Sequence, residues 1–156
     1  SRGRDFDKFM VPAGGQRWPV SAATKVETTD RHGNTRCAEN IHMDGLAVWS
    51  FVNSAVPPHV NAFLAARSLT LSDVDLFVFH QASRMTIESL TRVLGIPAEK
   101  VHVSMTHTGN LVSASIPAAL ADARQQGVIP NDATVLMCGF GVGLSYGSVL
   151  LRYDHR

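Results

Sequence analysis

A strand, a helix and a second strand follow one another between residues 76 and 103, and this order constrains the fold more than any other feature. Leu76–Phe79 is an uninterrupted apolar run, typical of a strand that is covered on both faces. Ser83 is a suitable N-cap for the next helix, which Gly95 ends, and residues 101–103 form a second short strand. Such a unit implies two parallel strands joined by a right-handed crossover.

The same order of elements repeats toward the C-terminus. A helix is predicted from Val112 to Gln126, and it tolerates Pro117 only if that residue lies near its first turn. Strands are predicted over residues 133–138 and 144–153, and the glycine-rich loop between them is too short for a crossover. These two strands should therefore be antiparallel neighbours, and the chain is predicted to be an α/β protein with helices on a mixed sheet.

The N-terminal part of the chain is less regular. A short strand is predicted over residues 6–12, and a polar, turn-rich stretch continues from there to about residue 40. Residues 43–55 have the apolar spacing of a helix. Pro57 and Pro58 are expected to break or kink that helix before a second helical segment resumes.

Composition and charge narrow the class of function. The chain has 156 residues, 45% of them apolar, and a net charge of +1, which suits one domain and gives no electrostatic basis for nucleic-acid binding. Cys37 and Cys138 are too few for a disulfide framework, so a cytoplasmic location is expected. The uncharged stretch 133–151 has the length of a membrane span, but its glycines favour two strands, so no membrane association is predicted. We expect strand and polar loops over residues 1–40, leading into a domain over residues 41–156.

Polar residues follow the ends of the predicted strands. His80 comes directly after Leu76–Phe79, Asn110 lies in the loop after the next strand, and the loop Gly141–Val142–Gly143 follows another. In open α/β sheets, sites form at the carboxyl ends of strands. A histidine and an asparagine there can supply two neutral hydrogen-bond donors, which stabilise the negative charge of an enolate or oxyanion. We predict that His80 and Asn110 are catalytic, although the chain holds no evident nucleophile.

Other motifs favour less specific interpretations. Residues 143–147 spell G-x-S-x-G, but a nucleophile elbow needs a helix after the serine, and here a β-like segment follows. Ser145 is therefore predicted to be a strand residue. The glycines of residues 139–143 match a dinucleotide loop only loosely, because the third glycine is missing. His102 and His107 have no cysteine or carboxylate at ligand spacing, so no metal site is predicted.

Three stretches taken together resemble the C-terminal half of a β-ketoacyl-[acyl-carrier-protein] synthase III, a family of the thiolase superfamily. They are VFHQAS at 78–83, GNLVSASIP at 109–117 and GFGVGLSYGS at 139–148. Their order and spacing agree with the family over about residues 41–153. The resemblance implies a thiolase-like αβαβα half with a mixed sheet covered by helices. It also implies a missing N-terminal half that carries the acylated cysteine, and a homodimer.

The resemblance implies an acyltransferase of fatty acid or related biosynthesis that performs a decarboxylative Claisen condensation. An acyl-CoA primer acylates the cysteine, malonyl-acyl carrier protein loses carbon dioxide, and the carbanion attacks the acyl group. His80 and Asn110 correspond to the pair that holds the malonyl thioester oxygen, and the loop around Val142 lends a backbone N–H to the other oxyanion. No cofactor is implied beyond the coenzyme A of the substrate. The residues placed against the substrates are Met43, Gly45, Trp49, Ala82, Arg84 and Phe140, with Arg84 near the phosphates.

Two alternatives stay open. A relative of the family could pass its acyl group to an alcohol or amine, with His80 as general base. A non-catalytic thiolase-fold subunit could instead bind acyl chains, although such a subunit has no chemical need for both His80 and Asn110. Val142, Ser83 and Thr108 depart from the commonest family pattern, so the resemblance does not fix the primer or the reaction outcome.

Overall fold

The computed structural model describes residues 1–154, which form two compact units. The first unit is Ser1–Val48 with Gly141–Ser145, and the second is Trp49–Phe140 with the chain from Tyr146 onward. The domain boundary suggested near residue 40 stays a prediction. The helices and strands, in chain order, are β1 (Phe9–Met10), β2 (Thr28–Thr29), β3 (Thr35–Arg36), β4 (His42–Met43), α1 (Gly45–Ala65), β5 (Leu76–Phe79), α2 (Arg84–Leu94), α3 (Met105–Thr108), α4 (Ser115–Gln125), β6 (Ala133–Gly141) and β7 (Ser145–Tyr153).

The first unit contains two short antiparallel ribbons. Strand β1 pairs with β4, with Phe9 opposite Met43, and β2 pairs with β3. The strand predicted over residues 6–12 is reduced to β1, because a 3-10 helix occupies Gly3–Lys8. The prediction that Met43 is helical is wrong, since the helix begins only after Asp44, whose carboxylate accepts the N–H of Ala47 at 3.0 Å.

Helix α1 continues from Gly45 to Ala65 through Pro57 and Pro58, so the predicted break is wrong. Each proline removes one backbone hydrogen bond, but Val56, Pro57 and Val60 are buried, and tertiary packing offsets the loss. The helix is also linked to its neighbours: Asn53 accepts the hydroxyl hydrogen of Ser89 in α2 at 2.6 Å. No helix within residues 1–154 is long and apolar enough to cross a membrane.

The second unit is built on a mixed sheet with the strand order β5-β6-β7. Strands β5 and β6 are parallel, in a register that runs from Leu76 opposite Val135 to Phe79 opposite Cys138. Strand β7 is joined to β6 by residues 142–144, which are too few for a crossover and therefore make the pair antiparallel. The mixed sheet predicted from the sequence is confirmed. The second strand of the first βαβ unit is only a single parallel bridge, between Phe77 and Val101.

Both faces of β5 are covered. Leu76 and Val78 pack against Ala119 and Ala123 of α4. Phe77 and Phe79 alternate to the opposite face, where they are fully buried and their rings stack at 6.1 Å. The strand end that precedes His80 is therefore fixed by the core on either side of the sheet.

The helix boundaries of the second unit follow local signals. The Ser83 hydroxyl accepts the N–H of Thr86 at 3.1 Å and caps α2, and Gly95 ends that helix with a φ of 66°. Pro117 is the third residue of α4, as its missing N–H requires. The helix predicted from Val112 begins only at Ser115, because Val112 has a φ of 53°, which no right-handed helix accommodates.

Candidate functional site

His80 is held by backbone hydrogen bonds at the carboxyl end of β5. Its N–H donates to the carbonyl of Cys138 at 2.9 Å, which extends the β5–β6 ladder by one residue. Its carbonyl accepts the N–H of Ala82 at 2.9 Å, which turns the chain toward the Ser83 cap of α2. The imidazole is half-buried and meets the Phe140 ring edge-on, with 5.5 Å between centroids and 86° between planes. His80, Ala82 and Phe140, all predicted to be site residues, thus lie together.

The proton of the His80 ring is fixed by Ser115. The Ser115 hydroxyl donates to the carbonyl of Val112, which can only accept, so the Ser115 oxygen is left to accept from Nδ1 of His80 at 2.7 Å. Nδ1 therefore carries the proton. Burial lowers the pKa of His80, and a backbone hydrogen bond to Val112 opposes that shift, so the ring is mainly neutral at pH 7.

This tautomer decides what His80 can do. In the neutral ring, Nε2 carries a lone pair and accepts a proton or a hydrogen bond. Nε2 becomes a donor only once His80 is protonated. The sequence led us to expect a neutral histidine that donates toward the substrate, and the bond to Ser115 instead directs the single proton of the neutral ring away from Nε2.

Asn110 is the second predicted catalytic residue, and it lies in an exposed segment. Gly109, which precedes it, has a φ of 66°. The Asn110 Oδ1 atom accepts the N–H of Val112 at 2.8 Å. Because a backbone N–H can only donate, this bond fixes the orientation of the amide and leaves Nδ2 as the donor that is available to a ligand.

A single run of hydrogen bonds connects the two predicted catalytic residues. Val112 donates its N–H to Asn110 and accepts the hydroxyl of Ser115 at its carbonyl, and Ser115 contacts His80. Sequence reasoning missed Ser115, whose side chain is buried and which lies within the stretch GNLVSASIP. The signal that points to it is its position, since a serine in the first turn of α4 can bond back to the preceding carbonyl.

The other predicted substrate-binding residues are distributed over both units. Arg84 is the first residue of α2 and is exposed, and Trp49 lies on α1 with 37% of its surface exposed. Met43, which is 51% exposed, belongs to strand β4 of the first unit, and Gly45 begins α1. Their contacts with substrate stay predictions.

The glycine loop belongs to the first unit. Gly141 and Gly143 have φ values of 155° and 133°, and a Cβ added to Gly143 would lie 2.9 Å from the Ser145 hydroxyl. Both positions therefore require glycine. Val142 between them is exposed, and its backbone N–H does not depend on a glycine at that position. Ser145 is the first residue of β7, as predicted, and not the serine of a nucleophile elbow. The oxyanion role of this loop stays a prediction.

Cys138 and His102 have structural surroundings. Burial raises the pKa of Cys138 to about 11, against a weaker effect of Ser148, so its thiol stays protonated and is a poor nucleophile. His102 is buried and its Nε2 lies 2.7 Å from Oδ2 of Asp122. Within residues 1–154, no three His, Cys, Asp or Glu side chains form a group that could hold a metal ion.

Comparison with known proteins identifies the family of the chain. Residues 64–153 match the model described as 3-oxoacyl-[acyl-carrier-protein (ACP)] synthase III C terminal. A β-ketoacyl-[acyl-carrier-protein] synthase III of Rhodopirellula baltica is 34% identical over 153 residues, which are 98% of this chain and 42% of that protein. A crystal structure of a 3-oxoacyl-(acyl-carrier-protein) synthase III superposes with a TM-score of 0.95 at 35% identity, over 98% of this chain and 45% of that one.

A third relative is named for a polyketide pathway. The priming β-ketosynthase of the R1128 polyketide biosynthetic pathway has a TM-score of 0.77 at 30% identity, over 97% of this chain and 42% of that one. The class is therefore the thiolase-like α/β fold, as predicted. The chain belongs to the 3-oxoacyl-[acyl-carrier-protein] synthase III C-terminal family. It spans less than half the length of the relatives that it matches.

Proposed function

We propose that the chain supplies the decarboxylation site of a β-ketoacyl-[acyl-carrier-protein] synthase III, which condenses an acyl-CoA primer with malonyl-acyl carrier protein. One observation supports this most directly: His80 and Asn110 belong to one hydrogen-bonded network through Val112 and Ser115. A site that stabilises charge on one oxygen needs two groups held in a fixed relation, and this network connects them.

In the proposed reaction, the bond between the malonyl carboxylate and the α-carbon breaks, and its electron pair moves toward the thioester oxygen. The resulting enolate receives a hydrogen bond from Nδ2 of Asn110. His80 contributes a second one from Nε2 in its protonated form, which the negative charge of a bound malonyl group favours. One such donor is typically worth about 3 kcal/mol in the transition state. The enolate carbon then attacks the acyl thioester, and the cysteine thiolate of the other half leaves.

A second candidate function has an observation of its own. The bond from Nδ1 to Ser115 leaves Nε2 of the neutral His80 ready to accept a proton. That is the form a general base needs when an alcohol or amine attacks an acyl thioester. The nucleophile's proton would pass to Nε2 as its oxygen or nitrogen bonds to the acyl carbon, and the departing thiolate would take the proton back. Acyl transfer to such an acceptor is therefore the alternative.

The proposed partners follow from the length of the relatives and from the surface. The chain spans 42% of the Rhodopirellula baltica protein, so we propose that an N-terminal half supplies the acylated cysteine. Large apolar side chains of the second unit are exposed, among them Trp49, Leu111 and Val112, which suits a surface covered by that half or by a homodimer partner. Arg84 would contact a phosphate of coenzyme A or of the carrier protein, and its exposure supports that role. The reaction would take place in the cytoplasm and need no cofactor.

Substitution of the two proposed donors tests this function in the natural polypeptide that contains these residues. His80→Ala and Asn110→Ala should each slow malonyl decarboxylation by about 10²–10³-fold, since each removes one donor to the enolate oxygen. Acylation by the primer should change little, because neither residue acts in that step. Radiolabelled carbon dioxide release and mass spectrometry of the acyl-enzyme measure the two steps separately.

The exposed His107 gives the matched control, and His107→Ala should leave both steps unchanged. Normal decarboxylation in both the His80 and Asn110 variants would refute the enolate role. Transfer to an added alcohol that needs His80 but not Asn110 would favour the alternative function.

A further inference from the structure

Gln81 is a fully buried amide beside His80, and every hydrogen bond it makes is with the backbone. Its Nε2 donates to the carbonyl of Phe79 at 2.8 Å and to that of His102 at 3.4 Å. Its Oε1 accepts the N–H groups of Ser104 and Met105 at 3.1 and 3.3 Å. Carbonyls only accept and N–H groups only donate, so the orientation of this amide is fixed at both ends.

These bonds join two segments that carry the proposed catalytic residues. Phe79 is the last residue of β5 and precedes His80. Met105 begins α3, a helix of four residues that ends at Thr108, just before Gly109 and Asn110. The ladder that aligns this segment with β5 extends to His102, whose N–H donates to Phe77 at 3.0 Å, and the Gln81 side chain extends the connection to α3.

Helix α3 needs such support from outside. A helix of four residues is far too short to be stable by its own hydrogen bonds, and the N–H groups at its start have no partner within it. Packing gives little help, because residues 106–110 are all exposed. The Oε1 atom of Gln81 supplies the partner that the first N–H groups lack.

We propose that Gln81 is a positioning residue that sets the place of Asn110 relative to His80. The downstream side of Asn110 is already fixed to His80 through Val112 and Ser115. Gln81 fixes the upstream side, so that Asn110 is held from both directions. This inference rests on the proposed function, because it assigns the two residues to one oxygen of the substrate.

The test is Gln81→Met in the natural polypeptide, which keeps the length of the side chain and removes all its hydrogen bonds. We expect kcat for malonyl decarboxylation to fall about 100-fold, since a displacement of about 1 Å has that effect in a preorganised site. The KM for the malonyl thioester and the rate of acylation by the primer should change little. Amide hydrogen exchange at Ser104 and Met105 should accelerate, and the side-chain amide signal of Asn110 should shift.

Asn53→Leu is the matched control, because it removes an amide whose bonds, with Ser89 of α2 and with the backbone of Trp49, involve neither His80 nor Asn110. It should lower stability while leaving kcat and the exchange at Ser104 and Met105 unchanged. An equal kcat for the Asn53 and Gln81 variants, each corrected for its folded fraction, would show that Gln81 has no specific effect on the site and would overturn the proposal.

If Gln81→Met does not fold, Gln81→Glu decides the question, since its carboxyl oxygens still accept the N–H groups of Ser104 and Met105 but do not donate to Phe79 when ionised. Protection of those two N–H groups should persist, and the Asn110 side-chain signal should stay near its wild-type position. Loss of that protection together with an unmoved Asn110 signal would overturn the inference. A wild-type protein with no decarboxylation would instead refute the proposed function, while the exchange and Asn110 measurements would still test Gln81.

Discussion

His80 and Asn110 are placed by different forces. His80 follows strand β5, whose four residues are all buried. Helix α4 covers one face of this strand, and the other face is also in the core. Asn110 lies in the exposed segment 106–114, between a four-residue helix and a 3-10 turn. Burial of apolar surface fixes the first residue, whereas hydrogen bonds of Gln81 and Val112 fix the second.

The difference shows that the two residues of one proposed site can be held in place by different interactions. A strand end in a packed core tolerates little movement, because neighbouring side chains leave no free volume. An exposed segment has no such constraint, so each hydrogen bond that crosses to the core carries more of the positioning. The exposed residue of the pair should therefore be sensitive to polar substitutions, and the buried one to changes of volume.

The largest effect that we expect from this difference is on the free energy of unfolding. Phe77→Ala should lower the free energy of unfolding by about 3–5 kcal/mol, because it leaves a cavity in the core behind β5. Leu111→Ala, in the exposed segment, should change it by no more than about 0.5 kcal/mol. Urea unfolding of the 156-residue chain, followed by circular dichroism, measures both.

The same pair of variants sharpens the comparison in a polypeptide that also contains the proposed N-terminal half. If Leu111 is covered there, its substitution should cost more than in the 156-residue chain, while the cost of Phe77→Ala stays the same. Equal costs for Phe77 and Leu111 in the short chain would mean that the two regions are not held differently.

Local sequence signals predicted the parts of the fold that local chemistry determines. The apolar run of β5, the Ser83 cap, the Gly95 stop and the place of Pro117 in α4 all follow from residues within one turn of the feature itself. The mixed sheet followed from the short loop before β7. The predicted site residues His80 and Phe140 are in contact because they lie at the adjacent carboxyl ends of the neighbouring strands β5 and β6.

The features that were missed depend on partners far along the chain. Helix α1 continues through Pro57 because its buried face is part of the core of the second unit, and the apolar spacing of the sequence does not show that this burial outweighs two lost hydrogen bonds. The roles of Gln81 and Ser115 depend on contacts with Met105 and His80, more than twenty residues away. A buried polar side chain reveals its function only when its partners are known.

A smaller effect is expected on which ring nitrogen of His80 carries the proton. Ser115→Ala removes one acceptor of the Nδ1 proton and leaves the Val112 carbonyl, so the fraction of the neutral ring with its proton on Nε2 should rise. The tautomers are distinguished by nitrogen NMR at pH 8, where the ring is neutral because burial lowers its pKa below the usual value of 6.5.

Ser115→Thr should restore the wild-type spectrum, since it keeps the hydroxyl, and the exposed Ser113→Ala should leave the spectrum unchanged. A wild-type ring that already carries its proton on Nε2 would contradict the assignment. The neutral His80 would then be a donor, and the case for a general base would lose its support.

The smallest effect concerns the backbone of the exposed segment. Val112 has a φ of 53°, a left-handed conformation that costs a β-branched residue roughly 1–2 kcal/mol, whereas glycine adopts it freely at an entropic cost of about 0.5–1 kcal/mol. Val112→Gly should therefore raise the free energy of unfolding by up to about 1 kcal/mol, and it keeps the N–H and carbonyl that bond Asn110 and Ser115. Val149→Gly is the control: this valine is exposed in strand β7, where glycine should be destabilising. Equal destabilisation by both substitutions would mean that the side chain of Val112, and not its backbone bonds, stabilises the segment.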